Sequence, residues 1–135
     1  MTVFDPDEVL IVARHLWTRC DEASNRSAVS RAYYGVFLRA RNMAGISDRH
    51  SKVHQRTQQH YEQDGQEALA KKLRRLRECR NDADYSTDRK VTRQEAAEAM
   101  SLSQQIRAEL RVLAGRRLYL ERSNGTGTAD SVNPP

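Results

Sequence analysis

Disulfide staples and thiolate metal fingers are excluded first, because only two cysteines occur in 135 residues. Cys20 and Cys79 lie far apart, each in a helical pattern where a small hydrophobe would serve equally well, so both are expected to be reduced packing residues. No apolar run approaches the length of a membrane span, and the opening MTVFDPDEV is acidic where a secretion signal would be basic. A cytoplasmic location is the expectation. Glycine-rich phosphate loops, nucleophile elbows and paired-cysteine motifs are missing too, so neither a cofactor nor a metal is expected. Hydrophobic residues are scarce at 38%, against 30% charged, with a mean hydropathy of −0.84. So little apolar material must be gathered on narrow helical stripes, and a partner subunit is expected to complete the core, which points to a homodimer.

What the chain has in excess is positive charge. Lys plus Arg number 23 against 18 Asp plus Glu, a net charge of +5, which favours a polyanionic partner without establishing one. The length suits one domain. Asp5 and Pro6 form a helix start, followed at helical spacing by Val9, Leu10, Ala13, Leu16, Trp17 and Cys20. After a polar break from Asp21 to Asn25, a second stripe runs through Val29, Tyr33, Val36, Phe37, Ala40 and Met43, and Gly45 is suited to end that helix. A short surface helix is expected between His50 and Tyr61, with Val53 and Tyr61 as its anchors. The next helix is predicted from Gln66 to about Arg80, with an interruption from Asn81 to Val91. Thr92 and Glu95 form a capping box that opens a last long helix carrying Ala96, Ala99, Ser103, Ile106 and Leu110. The predicted fold is all-α, an up-and-down bundle of four to five helices over residues 1–122, with a disordered tail over 123–135.

The segment KKLRRLRECRNDADY at 71–85 is the most informative, because six basic residues give way abruptly to two acids and a tyrosine. On a helical wheel Arg80 falls within about 20° of Leu73, along the apolar stripe. A guanidinium drawn inward must find a partner. Either it pairs structurally with Asp82 or Asp84, or it handles a phosphate in a cleft. Arg26 and Ser30 are two polar residues on the otherwise apolar stripe of the second helix, while Arg31 and Tyr34 share a flank with the composition of a subunit interface. His50 and His54 have a spacing that permits metal ligation, but no complementary ligand motif accompanies them. Either could instead reach a cleft as a general acid or base.

Taken together, SAVSRAYYGVFLRAR at 27–41, the loop GIS-x-x-HSKVH at 45–54 and RNDADY at 80–85 resemble the HEPN domain, in its stand-alone bacterial and archaeal form, from about Ser24 to Leu113. The resemblance implies a HEPN-like helical bundle that dimerises so that two arginine-bearing helix ends face one another across a shared cleft. In active members that cleft cuts RNA without metal, using an arginine followed a few residues later by a histidine. Many members serve in toxin–antitoxin or defence systems beside a nucleotidyltransferase-like partner. Here Arg80 keeps the arginine, no histidine follows it, and Asp84 stands where the family's histidine would be, with Tyr85 just beyond. The implied site residues are Arg80, Asn81, Asp84 and Tyr85, with His54 as a histidine arriving from the preceding segment. The other basic residues, Arg74, Arg75, Arg77 and Arg31 among them, form either a solvated face or an RNA-facing patch. The alternative is a non-catalytic dimerisation or partner-binding module lacking ribonuclease activity.

Overall fold

The computed structural model describes residues 3–46 and 51–130, with side chains described as far as residue 124. Five helices and no strand occur among the described residues: α1 (Asp7–Trp17), α2 (Glu22–Ala44), α3 (Val53–Gln63), α4 (Glu67–Tyr85) and α5 (Arg93–Asp130). The fold is an all-α helical bundle, as the periodicities predict. None of these helices is long and apolar enough to cross a membrane.

Helix α2 is the axis of the bundle and packs against each of the other four. Its inward residues Val29, Tyr33, Val36, Phe37 and Ala40 meet Leu69, Leu73 and Leu76 of α4, with Ala96, Ala99, Ile106 and Leu110 of α5 closing the core. Leu73, Leu76, Ile106 and Leu110 are completely enclosed, a burial that stabilises by about 1.5–3 kcal/mol for each such side chain. Ser103 is buried on the same face because its hydroxyl donates to the Ala32 carbonyl at 2.7 Å. Gly35 lets α1 approach closely: a Cβ there would lie 2.7 Å from Leu10 Cδ2 and 3.2 Å from the Pro6 carbonyl oxygen.

Two predicted boundaries are corrected. The polar stretch from Asp21 to Asn25 is not a break: Asp21 caps α2 by accepting from the Ser24 amide at 2.8 Å and the Ser24 hydroxyl at 2.9 Å. Asn25 is then buried, and its Nδ2 donates to the Val91 carbonyl. Nor does α4 stop near Arg80; it continues to Tyr85. The cause is Arg26, whose Nη1 donates to the carbonyls of Ala83 at 2.9 Å and Ser86 at 2.8 Å, and whose Nη2 donates to that of Arg89 at 2.6 Å. A cation from α2 thus satisfies carbonyls that the end of α4 would otherwise leave unpaired. The turn-forming residues Asn81, Asp82 and Asp84 remain helical, and Ala83 is buried.

The caps at Asp5, Gly45 and Thr92 agree with the pattern. Asp5 accepts from the Asp7 amide at 2.9 Å, Gly45 adopts a left-handed φ of 68°, and Thr92 Oγ1 accepts from the Glu95 amide at 3.1 Å. The second half of the capping box is diverted, since the Glu95 carboxylate pairs with Arg89. Helix α5 continues through Ser123, the predicted start of a disordered tail, to Asp130. Residues 121–124 are exposed, so helical hydrogen bonding rather than burial accounts for them. The predicted tail beyond Asp130 lies outside the described residues.

Candidate functional site

The extension of α4 decides the geometry, because it puts Arg80 inside a helix with Asp84 one turn further on. Arg80 Nε donates to Asp84 Oδ2 at 2.9 Å, and Nη1 donates to Asn81 Oδ1 at 3.1 Å. Asp84 Oδ2 also accepts from the Ser30 hydroxyl of α2 at 3.1 Å. The guanidinium and the carboxylate are about a quarter exposed, at 27% and 25%, so the pair borders solvent while α2 holds it in place. Tyr85, by contrast, is exposed, and Arg80 Cζ stands 5.7 Å from its ring centre.

Helix α3 adds the histidine that the RNDADY segment lacks. His54 occupies its first turn, and the imidazole stacks on Phe37 of α2 with ring centres 4.1 Å apart and planes at 21°. Its Nδ1 lies 2.6 Å from the Tyr33 hydroxyl. Burial first, then the positive charges of Arg77 and Arg80, lower the His54 pKa from 6.5 to about 4, so the ring is neutral at physiological pH. Burial raises the Tyr33 pKa above its ordinary value, so that hydroxyl keeps its proton. One end of the bundle thus joins a neutral imidazole fixed by a phenol to two guanidiniums from a single helix.

Of the predicted catalytic residues, Arg80, Asn81, Asp84 and Tyr85 fall on one end of α4, and His54 shares the electrostatic field of Arg80. The predicted RNA contacts do not form one patch. Arg74 and Arg77 line a cleft between α3 and α4 of about 340 Å³, where Arg74 pairs with Glu62. Arg75 lines a different groove of about 500 Å³ between α4 and α5, floored by Val29, Val91, Ala99 and Leu102. Arg31 stacks on Tyr34 at 5.0 Å on the surface of α2. Arg74 and Arg77, three positions apart, share one face of α4, whereas Arg75 is turned through about 100° from Arg74 and faces the other groove.

Two participants escaped the sequence reading. Tyr33 reads as core, and it is core, with 2% exposure; only the spatial position of His54 reveals that its hydroxyl faces the site. Arg26 carried a signal as a charged residue on an apolar stripe, but its partners are backbone carbonyls more than fifty residues away, which side-chain pattern does not encode. His50 lies outside the described residues. No cluster of three or more His, Cys, Asp or Glu side chains suited to a metal occurs among those described.

Neither a protein-family model, nor a curated protein, nor a solved structure matches the chain.

Proposed function

We propose that this chain is a HEPN-like protein that binds RNA and cleaves it without metal, acting as a homodimer at the end of the bundle where α2, α3 and α4 meet. The observation that carries this reading is the neutral His54, held at 2.6 Å by Tyr33 beside Arg77 and Arg80. A phosphodiester needs cationic donors for its non-bridging oxygens, and the Arg80 guanidinium, held by Asp84 and Asn81, supplies them. In the tautomer whose Nδ1–H donates to the Tyr33 oxygen, Nε2 keeps its lone pair and can accept the proton of a ribose 2′-hydroxyl; the tautomer in which the Tyr33 hydroxyl donates to Nδ1 has no base at Nε2. The activated 2′-oxygen attacks the adjacent phosphorus, the P–O5′ bond breaks to leave a 2′,3′-cyclic phosphate, and the departing 5′-oxygen takes a proton from water; Arg80 stabilises the charge that develops on the phosphate oxygens.

The resemblance of 27–41, 45–54 and 80–85 to the HEPN domain supports the same reading and extends it to a cytoplasmic toxin–antitoxin or defence setting, with a nucleotidyltransferase-like protein as partner. A second reading, a non-catalytic dimerisation or partner-binding module, is favoured by one observation: Arg80 is already engaged by Asp84. The two separate in one assay. Purified protein, His54→Gln and Arg80→Ala are incubated with single-stranded RNA in the presence of a chelator. Cleavage by the wild type, with about a hundredfold loss in each variant, supports the enzyme. Equal background from all three, with a lower melting temperature for Arg80→Ala, supports the module.

A further inference from the structure

The cleft between α3 and α4 is built for a different chemistry from the phosphate-binding end it adjoins. Its lining contains no aliphatic or aromatic residue, and four side-chain amides, Gln55, Gln58, Gln59 and Asn81, face the same space. The charges there cancel, since Arg74 pairs with Glu62 and the remaining two, Arg77 and Glu78, are successive residues of α4 with opposite sign. None of the ion pairs among the described residues involves Glu78. An anion would meet the two carboxylates, and an apolar ligand would strand the amides. A neutral, planar, polar ligand with donors and acceptors along one edge satisfies both conditions.

The cleft also has unmet hydrogen-bonding capacity. Gln58 is only 7% exposed, yet its Nε2 has no partner, and Arg77 Nε is likewise buried and unpaired. Native proteins rarely leave such donors orphaned. Asn81 joins this cleft to the reacting end, because it lines the cleft while accepting from Arg80.

We infer that the α3–α4 cleft is a nucleobase pocket that selects guanine next to the phosphodiester held by Arg80. This rests on the RNA reading given above. The choice of guanine follows from pairing Glu78 with Arg77. Guanine presents two adjacent donors, N1–H and N2–H, that match the two oxygens of a carboxylate, and beside them O6 accepts from a guanidinium or an amide. Adenine offers no second donor on that edge, and uracil has a single N–H.

The test measures fluorescence anisotropy with 2′-O-methyl RNA hexamers, which cannot be cut at a 2′-hydroxyl. Three sequences are used: all uracil, one central guanine, and one central adenine. The wild type binds the guanine hexamer about tenfold more tightly than the other two, the discrimination typical of one good bidentate base contact. Glu78→Gln abolishes the preference, so that within the variant the guanine hexamer binds no more tightly than the uracil hexamer; Glu78 is exposed and the exchange preserves shape, so the fold tolerates it. Arg80→Ala weakens all three hexamers equally. Wild-type affinities that are equal for the three sequences, or that favour adenine, overturn the pocket while leaving the RNA reading standing. Absence of binding to any hexamer overturns both.

Discussion

Replacing Arg26 by alanine tests whether one side chain on α2 holds the last turn of α4 in place. The guanidinium makes three bonds of 2.9 Å or shorter, to the carbonyls of Ala83, Ser86 and Arg89, and its side chain is 19% exposed. Charge-assisted bonds are strong, but the freed carbonyls regain some water in the variant, so a net loss of roughly 1 kcal/mol each is appropriate. The total is about 3 kcal/mol. With an unfolding entropy of roughly 2.1 cal/mol/K per residue, that lowers the melting temperature of this chain by about 10 °C. Thermal unfolding by circular dichroism reads the global effect. Hydrogen exchange reads the local one, since the amides near Asp84 and Tyr85 lose protection before those of Leu73 and Leu76. Arg26→Lys does not rescue, because one ammonium cannot span the same set of carbonyls. A melting temperature within about 2 °C of wild type, with protection intact around Asp84, refutes the argument.

Stability also depends on pH through His54. Its folded-state pKa of about 4 lies below the ordinary 6.5, so the unfolded chain binds the extra proton and stability falls as pH drops from 6.5 towards 4, by about 1–2 kcal/mol for a half-buried ring screened by solvent. Denaturant titrations at both pH values compare wild type with His54→Gln; the variant lacks this slope, and parallel losses in the two proteins contradict the assignment. Gly35→Ala forces a Cβ against Leu10 and the Pro6 carbonyl and destabilises by about 1–3 kcal/mol. An unchanged denaturation midpoint shows instead that α1 can shift away from α2 without cost.

Much of this architecture was legible because periodicity reports burial. The stripe from Val29 to Ala40 and the run from Ala96 to Leu110 are core as predicted, and the caps at Asp5, Gly45 and Thr92 depend on residues close in sequence. The end of α4 was illegible for the opposite reason. Local turn propensity at Asn81 and Asp82 is overridden by Arg26, which arrives from another helix. The candidate site divides along the same line. Arg80 and Asp84 sit one turn apart on one helix, so their pairing was among the alternatives the sequence left open. The approach of His54 to Tyr33 and Phe37 depends on how α3 docks on α2. Buried Tyr61, whose hydroxyl donates to the Ala40 carbonyl at 2.7 Å, fastens that docking. No spacing rule connects positions 33 and 54, so the cluster appears only in three dimensions.

If His54 faces the phosphodiester that Arg80 binds, its protonation must sense that phosphate. The decisive measurement is an NMR titration of the His54 ring protons in the free protein and with a saturating 2′-O-methyl RNA hexamer. The free protein should give a pKa near 4, and bound RNA should raise it by roughly one to three units, because a nearby negative charge favours the imidazolium. A His54 pKa that stays the same when RNA is fully bound would place the phosphate elsewhere and contradict the proposed site.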